Sequence, residues 1–91
     1  MSSHEKILER FLKLPKDFTW DELKRLVKRY GYYQKNKGKT SGSRVRFENE
    51  DSDIYLDLHK PHPNNNLKPY QMTDVLDFLR RIKVIKDETD K

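Results

Sequence analysis

Apolar positions recur along this chain with two different periods, and the change from one to the other divides it into elements. Over residues 3 to 14, Ile7, Leu8, Phe11 and Leu12 fall on one face of a helix; Ser2 and Glu5 have capping-box spacing at its start, and Pro15 ends it. A second helix opens at Thr19 as N-cap, with Glu22 three residues on and Phe18 placed to staple against Leu23. Leu23, Leu26, Val27 and Tyr30 form its buried stripe, Lys24, Arg25, Lys28 and Arg29 form a basic outer stripe, and Gly31 stops it. Cations near a helix C-terminus are favourable, so that outer stripe reads first as a solvated face.

Beyond Gly31 the period drops to two. Strands are predicted over Tyr32 to Lys37, Ser43 to Glu48 and Ile54 to His59, with the acidic Asn49-Glu50-Asp51-Ser52-Asp53 segment as the turn between the last two. Side chains two apart share a face, which sends Val45, Phe47, Ile54, Leu56 and Leu58 to the core and Arg44, Arg46, Tyr55, Asp57 and His59 to the opposite, open face. A symmetric hairpin brings Arg44 near Asp57 and Arg46 near Tyr55, an ion pair and a cation–π contact each worth at most about 1 kcal/mol. After a polar turn at Asn64 to Asn66, a last helix begins at Pro69 and turns Met72, Val75, Leu76, Leu79 and Ile82 onto the sheet. The prediction is an α+β fold: a three-stranded antiparallel sheet covered on one face by helices, with an extra N-terminal helix. Residues 1–17 read as a helical extension, 18–85 as the domain proper and 86–91 as a disordered tail.

Charge adds a partner class to this picture. Lys and Arg outnumber Asp and Glu by 20 to 15 in 91 residues, and the net charge of +5 with a pI near 9.5 favours a polyanion. The absence of cysteine excludes a disulfide framework and a thiolate metal site, and no apolar run is long enough for a signal peptide or a membrane span, so a cytoplasmic location is expected.

Candidate chemistry gathers between residues 38 and 69. Gly38, Gly42, Ser41 and Ser43 beside Arg44 and Arg46 can approach phosphates closely, and His59 and His62 can move protons near neutral pH. Other chemistries fit less well. His59 and His62 lack a nearby Cys or carboxylate pair for a metal, Gly38-Lys39-Thr40 lacks the first glycine of a P-loop, and Ser43 has no His and Asp placed to activate it. No cofactor is expected. Trp20 could serve as a stacking platform, but its place in the first helical turn suits the core better.

Gly42-Ser43 in a strand, His62-Pro63 after the last strand and Leu67-Lys68 before a helix together resemble the HicA family of bacterial toxins over roughly residues 19 to 85. The resemblance implies a fold like that of double-stranded-RNA-binding domains, which share the α-β-β-β-α order, metal-independent cleavage of messenger RNA, and a HicB-like antitoxin as partner. The family pattern has histidine after Gly-Ser, and this chain has Arg44 there. Arginine cannot act as a general base in a protein, although it can bind phosphate or stabilise developing charge. Proton transfer is then left to His59 or His62, with His59 better placed by strand alternation. Lys37, Lys39, Ser41, Ser43, Arg44, Arg46, Lys60 and Lys68 make up the expected RNA contact. A second reading keeps the surface as a non-catalytic module for nucleic acid or protein.

Overall fold

A computed structural model describes residues 3–35, 44–61 and 64–85 of the chain, with the side chains of 3–5 left aside. Its elements in order are α1 (Ser3–Leu12), α2 (Trp20–Lys28), β1 (Tyr33–Lys35), β2 (Arg44–Glu48), β3 (Leu56–His59) and α3 (Pro69–Arg81). The strands form one antiparallel sheet in the order β1-β2-β3, and the fold is α+β. The predicted capping box of the first helix and the tail at 86–91 fall outside the described residues.

The two ends of α2 anchor most of the loops. Thr19 is extended (φ −93°, ψ 163°); its hydroxyl accepts the Glu22 N–H at 3.2 Å while the Glu22 carboxylate accepts the Thr19 N–H at 2.9 Å, the predicted capping box. The Trp20 N–H donates to the Asn65 carbonyl and the Leu67 N–H to the Phe18 carbonyl, both at 2.8 Å, so 64–67 pairs with the start of α2 as an antiparallel bridge. Asn64 shapes that segment by accepting the Asn66 N–H on its side chain at 3.0 Å. At the other end Gly31 has φ +88°, with its N–H bonded to the Lys28 carbonyl and the Tyr32 N–H to that of Val27, the paired bonds of a Schellman stop. A Cβ on Gly31 would lie 2.8 Å from the Asn49 side-chain nitrogen, which donates to the Tyr30 carbonyl.

The hairpin keeps the predicted faces but not a symmetric turn. Arg44 pairs with His59, Val45 with Leu58, Arg46 with Asp57 and Phe47 with Leu56. A tight turn at Asn49–Ser52 is closed by Ser52 N–H to Asn49 C=O, and the Ser52 hydroxyl then captures the Ile54 N–H at 3.1 Å. That local side-chain bond takes up two extra residues on the β3 side and moves the pairing by two positions. An even shift preserves the alternation, so Val45, Phe47, Leu56 and Leu58 stay buried. Arg44 still reaches Asp57 and Arg46 still covers Tyr55, but as diagonal neighbours rather than direct partners.

Inside, Leu23, Leu26 and Val27 of α2 and Met72, Val75 and Leu79 of α3 meet the sheet as the spacing predicts, while Tyr30, Ile54, Leu76 and Ile82 are only partly buried. Aromatic pairs join the layers. Trp20, 3 % exposed, packs on Phe47 with ring centroids 5.6 Å apart, and Tyr32 meets Phe78 edge-on at 4.9 Å. The helix ahead of the domain belongs to the same core: Phe11 of α1 sits edge-on to Phe18 at 5.3 Å, and Arg10 bonds Glu22 at 2.9 Å and Asp17 at 2.9 Å.

One buried polar side chain fixes α3. Gln71, 1 % exposed, accepts the Lys68 N–H at 3.0 Å and donates to the His59 carbonyl at 2.7 Å, tying the helix start to the end of β3. Gln71→Met keeps the volume but leaves a donor and an acceptor unpaired, and should lower stability by about 1–3 kcal/mol. Urea unfolding measures this; an unchanged midpoint would show that the two bonds add nothing.

Candidate nucleic-acid interface

Strand pairing builds the open face in rows, because directly opposed residues point the same way. Tyr33 stands opposite Glu48; Lys35, Arg46 and Asp57 form a row across all three strands; Arg44 stands opposite His59. The face is polar because the other side of β2 and of β3 is spent on the core.

Arg46 is the buttress of this surface. Its Nε lies 2.8 Å from Asp57 Oδ1 and its Nη2 3.1 Å from Oδ2, a two-point grip, with Glu48 at 3.8 Å. The guanidinium also lies 4.0 Å from the Tyr55 ring centroid. With carboxylate, ring and neighbouring acid all engaged, it has little left for a phosphate. Arg44 differs, since its side chain is 58 % exposed and makes a single 3.3 Å contact with Asp57. These hydrogen bonds, Arg46's first, hold the Asp57 carboxyl below its usual range against the upward push of partial burial, with Arg44 adding to the same shift.

His59 is exposed at the end of β3, directly across from Arg44, and its backbone is held by Gln71. Lys60 follows it, also exposed, and the backbone of Lys68 shares the same glutamine. The structure thus places Arg44, Arg46 and His59 on one face and joins the segments carrying Lys60 and Lys68 at its edge. Lys37, Lys39, Ser41, Ser43 and His62 lie outside the described residues. Sequence reasoning left out Lys35, which alternation alone would have put on the same side of its strand as Tyr33, and Gln71, whose capping-box spacing from Lys68 was the available signal. Among the described residues no group of three or more His, Cys, Asp or Glu could hold a metal ion, and no helix is long and apolar enough to cross a membrane.

The Asp57 grip predicts a pH dependence. A carboxyl with a depressed folded-state pKa contributes stability that is fully present above the unfolded value near about 4 and is lost as pH falls through the folded value. Glu22 behaves alike: burial pushes its carboxyl up, but hydrogen bonds from Arg10 and Thr19 outweigh that and lower it. Asp57→Asn should therefore lose less stability than the parent between pH 6 and pH 3 while keeping the part due to Glu22. Denaturant unfolding at each pH tests this, and identical losses in the two proteins would assign no role to the Asp57 charge.

Comparison with curated proteins and with solved structures returns no match. A comparison with protein families matches residues 20–84 to the family described as the HicA toxin of bacterial toxin–antitoxin systems. That span runs from the first residue of α2 past the end of α3, includes the whole sheet, and takes in most of the chain. The chain belongs to the HicA toxin family.

Proposed function

We propose that this toxin-family chain acts on RNA through its open sheet face, as a metal-independent endoribonuclease restrained by a HicB-like antitoxin. The observation that carries the reading is the direct pairing of Arg44 with His59, which roots a cation and an imidazole on opposed residues, whose Cβ atoms stand roughly 5 Å apart in such a pair, on one exposed face. Arg44 stands where the resembling family has histidine, so the proton moves through His59. As the 2′-oxygen of a ribose forms a bond to the adjacent phosphorus, His59 takes the 2′ proton. The bond from phosphorus to the 5′-oxygen breaks, and that oxygen leaves with a proton from solvent or from His62. Arg44 stabilises the charge gathering on the phosphorane oxygens. Lys35, Lys37, Lys39, Lys60 and Lys68 draw in the backbone, and Ser41 and Ser43 add hydrogen bonds to phosphate.

A second reading, binding without cleavage, has its own support. Among the described residues nothing hydrogen-bonds the His59 ring, whereas a general base is ordinarily oriented by a further group. The two readings separate in single-turnover RNA cleavage against pH. For a nuclease, His59→Ala should cut the rate by roughly 100- to 10,000-fold while leaving binding in place. A parent that binds RNA but leaves it intact, and becomes active only as Arg44→His, would establish the binding module.

Binding itself divides the two arginines. Arg44→Ala should flatten the dependence of log affinity on log salt by about 0.7, the share of one phosphate contact on a single strand. Arg46→Ala should chiefly lower the stability of the fold. Equal losses of salt slope in the two variants would show that Arg46 leaves Asp57 to meet phosphate.

A further inference from the structure

The charges of the three strands all point to the open face, and they nearly cancel. Lys35, Arg44 and Arg46 face Glu48 and Asp57, three cations against two carboxylates, and Arg46 is gripped by Asp57 at two points. Within the strands a phosphate therefore meets little net charge, the exposed Lys60 and Lys68 being carried by segments at the edge of the face; an unpaired strand offers the faces of its bases as well as its phosphates and sugars. What this face holds ready for a base is a ring. Tyr55 lies just before β3 with 48 % of its surface open, and the Arg46 guanidinium lies 4.0 Å from its centroid. Asp57 fixes that guanidinium, so the ring is backed by a group that does not have to be ordered when a ligand arrives.

We propose that Tyr55, backed by Arg46, is a stacking platform for an unpaired base and restricts this face to single-stranded RNA. The proposal rests on the reading that the face binds RNA and adds which kind of RNA it takes and which residue selects it. Two other aromatic residues sharpen the assignment. Trp20 is buried against Phe47 and cannot stack on a ligand. Tyr33 is 52 % exposed on the same face, but it borders a groove of about 360 Å³ whose lining sets Glu48, Glu50 and Asp51 against Lys35, a carboxylate excess that repels the phosphates accompanying any base. It serves as the matched control. Arg44 and His59 lie two rows from Tyr55, so a base held on the ring places its strand over the cation and the histidine.

The test compares a single-stranded oligoribonucleotide carrying 2-aminopurine with its duplex, by affinity and by quenching of the 2-aminopurine fluorescence, which reports stacking. The parent should bind the single strand at least tenfold more tightly than the duplex and quench the probe. Tyr55→Phe should retain both properties. Tyr55→Leu, which keeps apolar bulk over Arg46 but has no π face, should bind the single strand about tenfold more weakly with the quench lost, the usual worth of one base–aromatic stack. Tyr33→Leu should change affinity by less than twofold. Parent-like affinity and quenching in Tyr55→Leu, or equal binding of duplex and single strand, would overturn the platform while leaving RNA binding intact. A parent with no affinity for either RNA would overturn the RNA reading and the platform with it.

Discussion

Among the described residues the three-stranded sheet has helices to cover one of its faces, and nearly everything else in this structure follows from that. The covered face takes Val45, Phe47, Leu56 and Leu58 into one core with α2 and α3. The other must stay wet, and its exposed backbone and side chains have to be organised without apolar packing. Asp57 supplies that organisation. By accepting two hydrogen bonds from Arg46 and a third from Arg44, a single carboxylate gathers the cations of β2 onto β3, and Arg46 in turn steadies Tyr55. The two arginines look equivalent in sequence, two residues apart on one strand. Their register partners make one a structural brace and leave the other available to a ligand.

What could be read from the sequence was whatever depends on parity and on short-range chemistry. Strand alternation assigned the faces correctly because any even shift of register leaves them unchanged, so the observed displacement of two residues cost nothing in core membership. The start of α2 was equally legible, since the Thr19 and Glu22 box needs only residues within one turn. The register itself was hidden. It turns on the Ser52 hydroxyl capturing the Ile54 N–H, and nothing in an acidic turn announces which of several polar side chains will do so. The asparagine turn at Asn64 to Asn66 read as a simple connection because its role, pairing with Phe18–Trp20, involves residues more than forty positions away.

The candidate site divides along the same line. Arg44, Arg46 and His59 were found by alternation, and Tyr55 and Asp57 were named as their neighbours. Gln71 was not, because a glutamine in the first turn of a helix looks like surface; its burial comes from the docking of α3 against the end of β3, a tertiary event. That glutamine holds His59 by its backbone carbonyl, and among the described residues nothing hydrogen-bonds the imidazole. The histidine is located by one side of its residue and presented by the other.

The packing of α1 bears on where this protein begins as a physical object. The family match starts at Trp20, one residue after the N-cap of α2. Yet Glu22, which completes that cap, also holds Arg10, and Phe11 fills the core beside Phe18. A fragment trimmed to residues 20–84 would lose Thr19, strip the charge partner from Glu22 and take two buried phenyl rings, those of Phe11 and Phe18, out of the core. The family match and the packed core therefore draw different borders on this chain, and the helix outside the match is one the fold has built into its core.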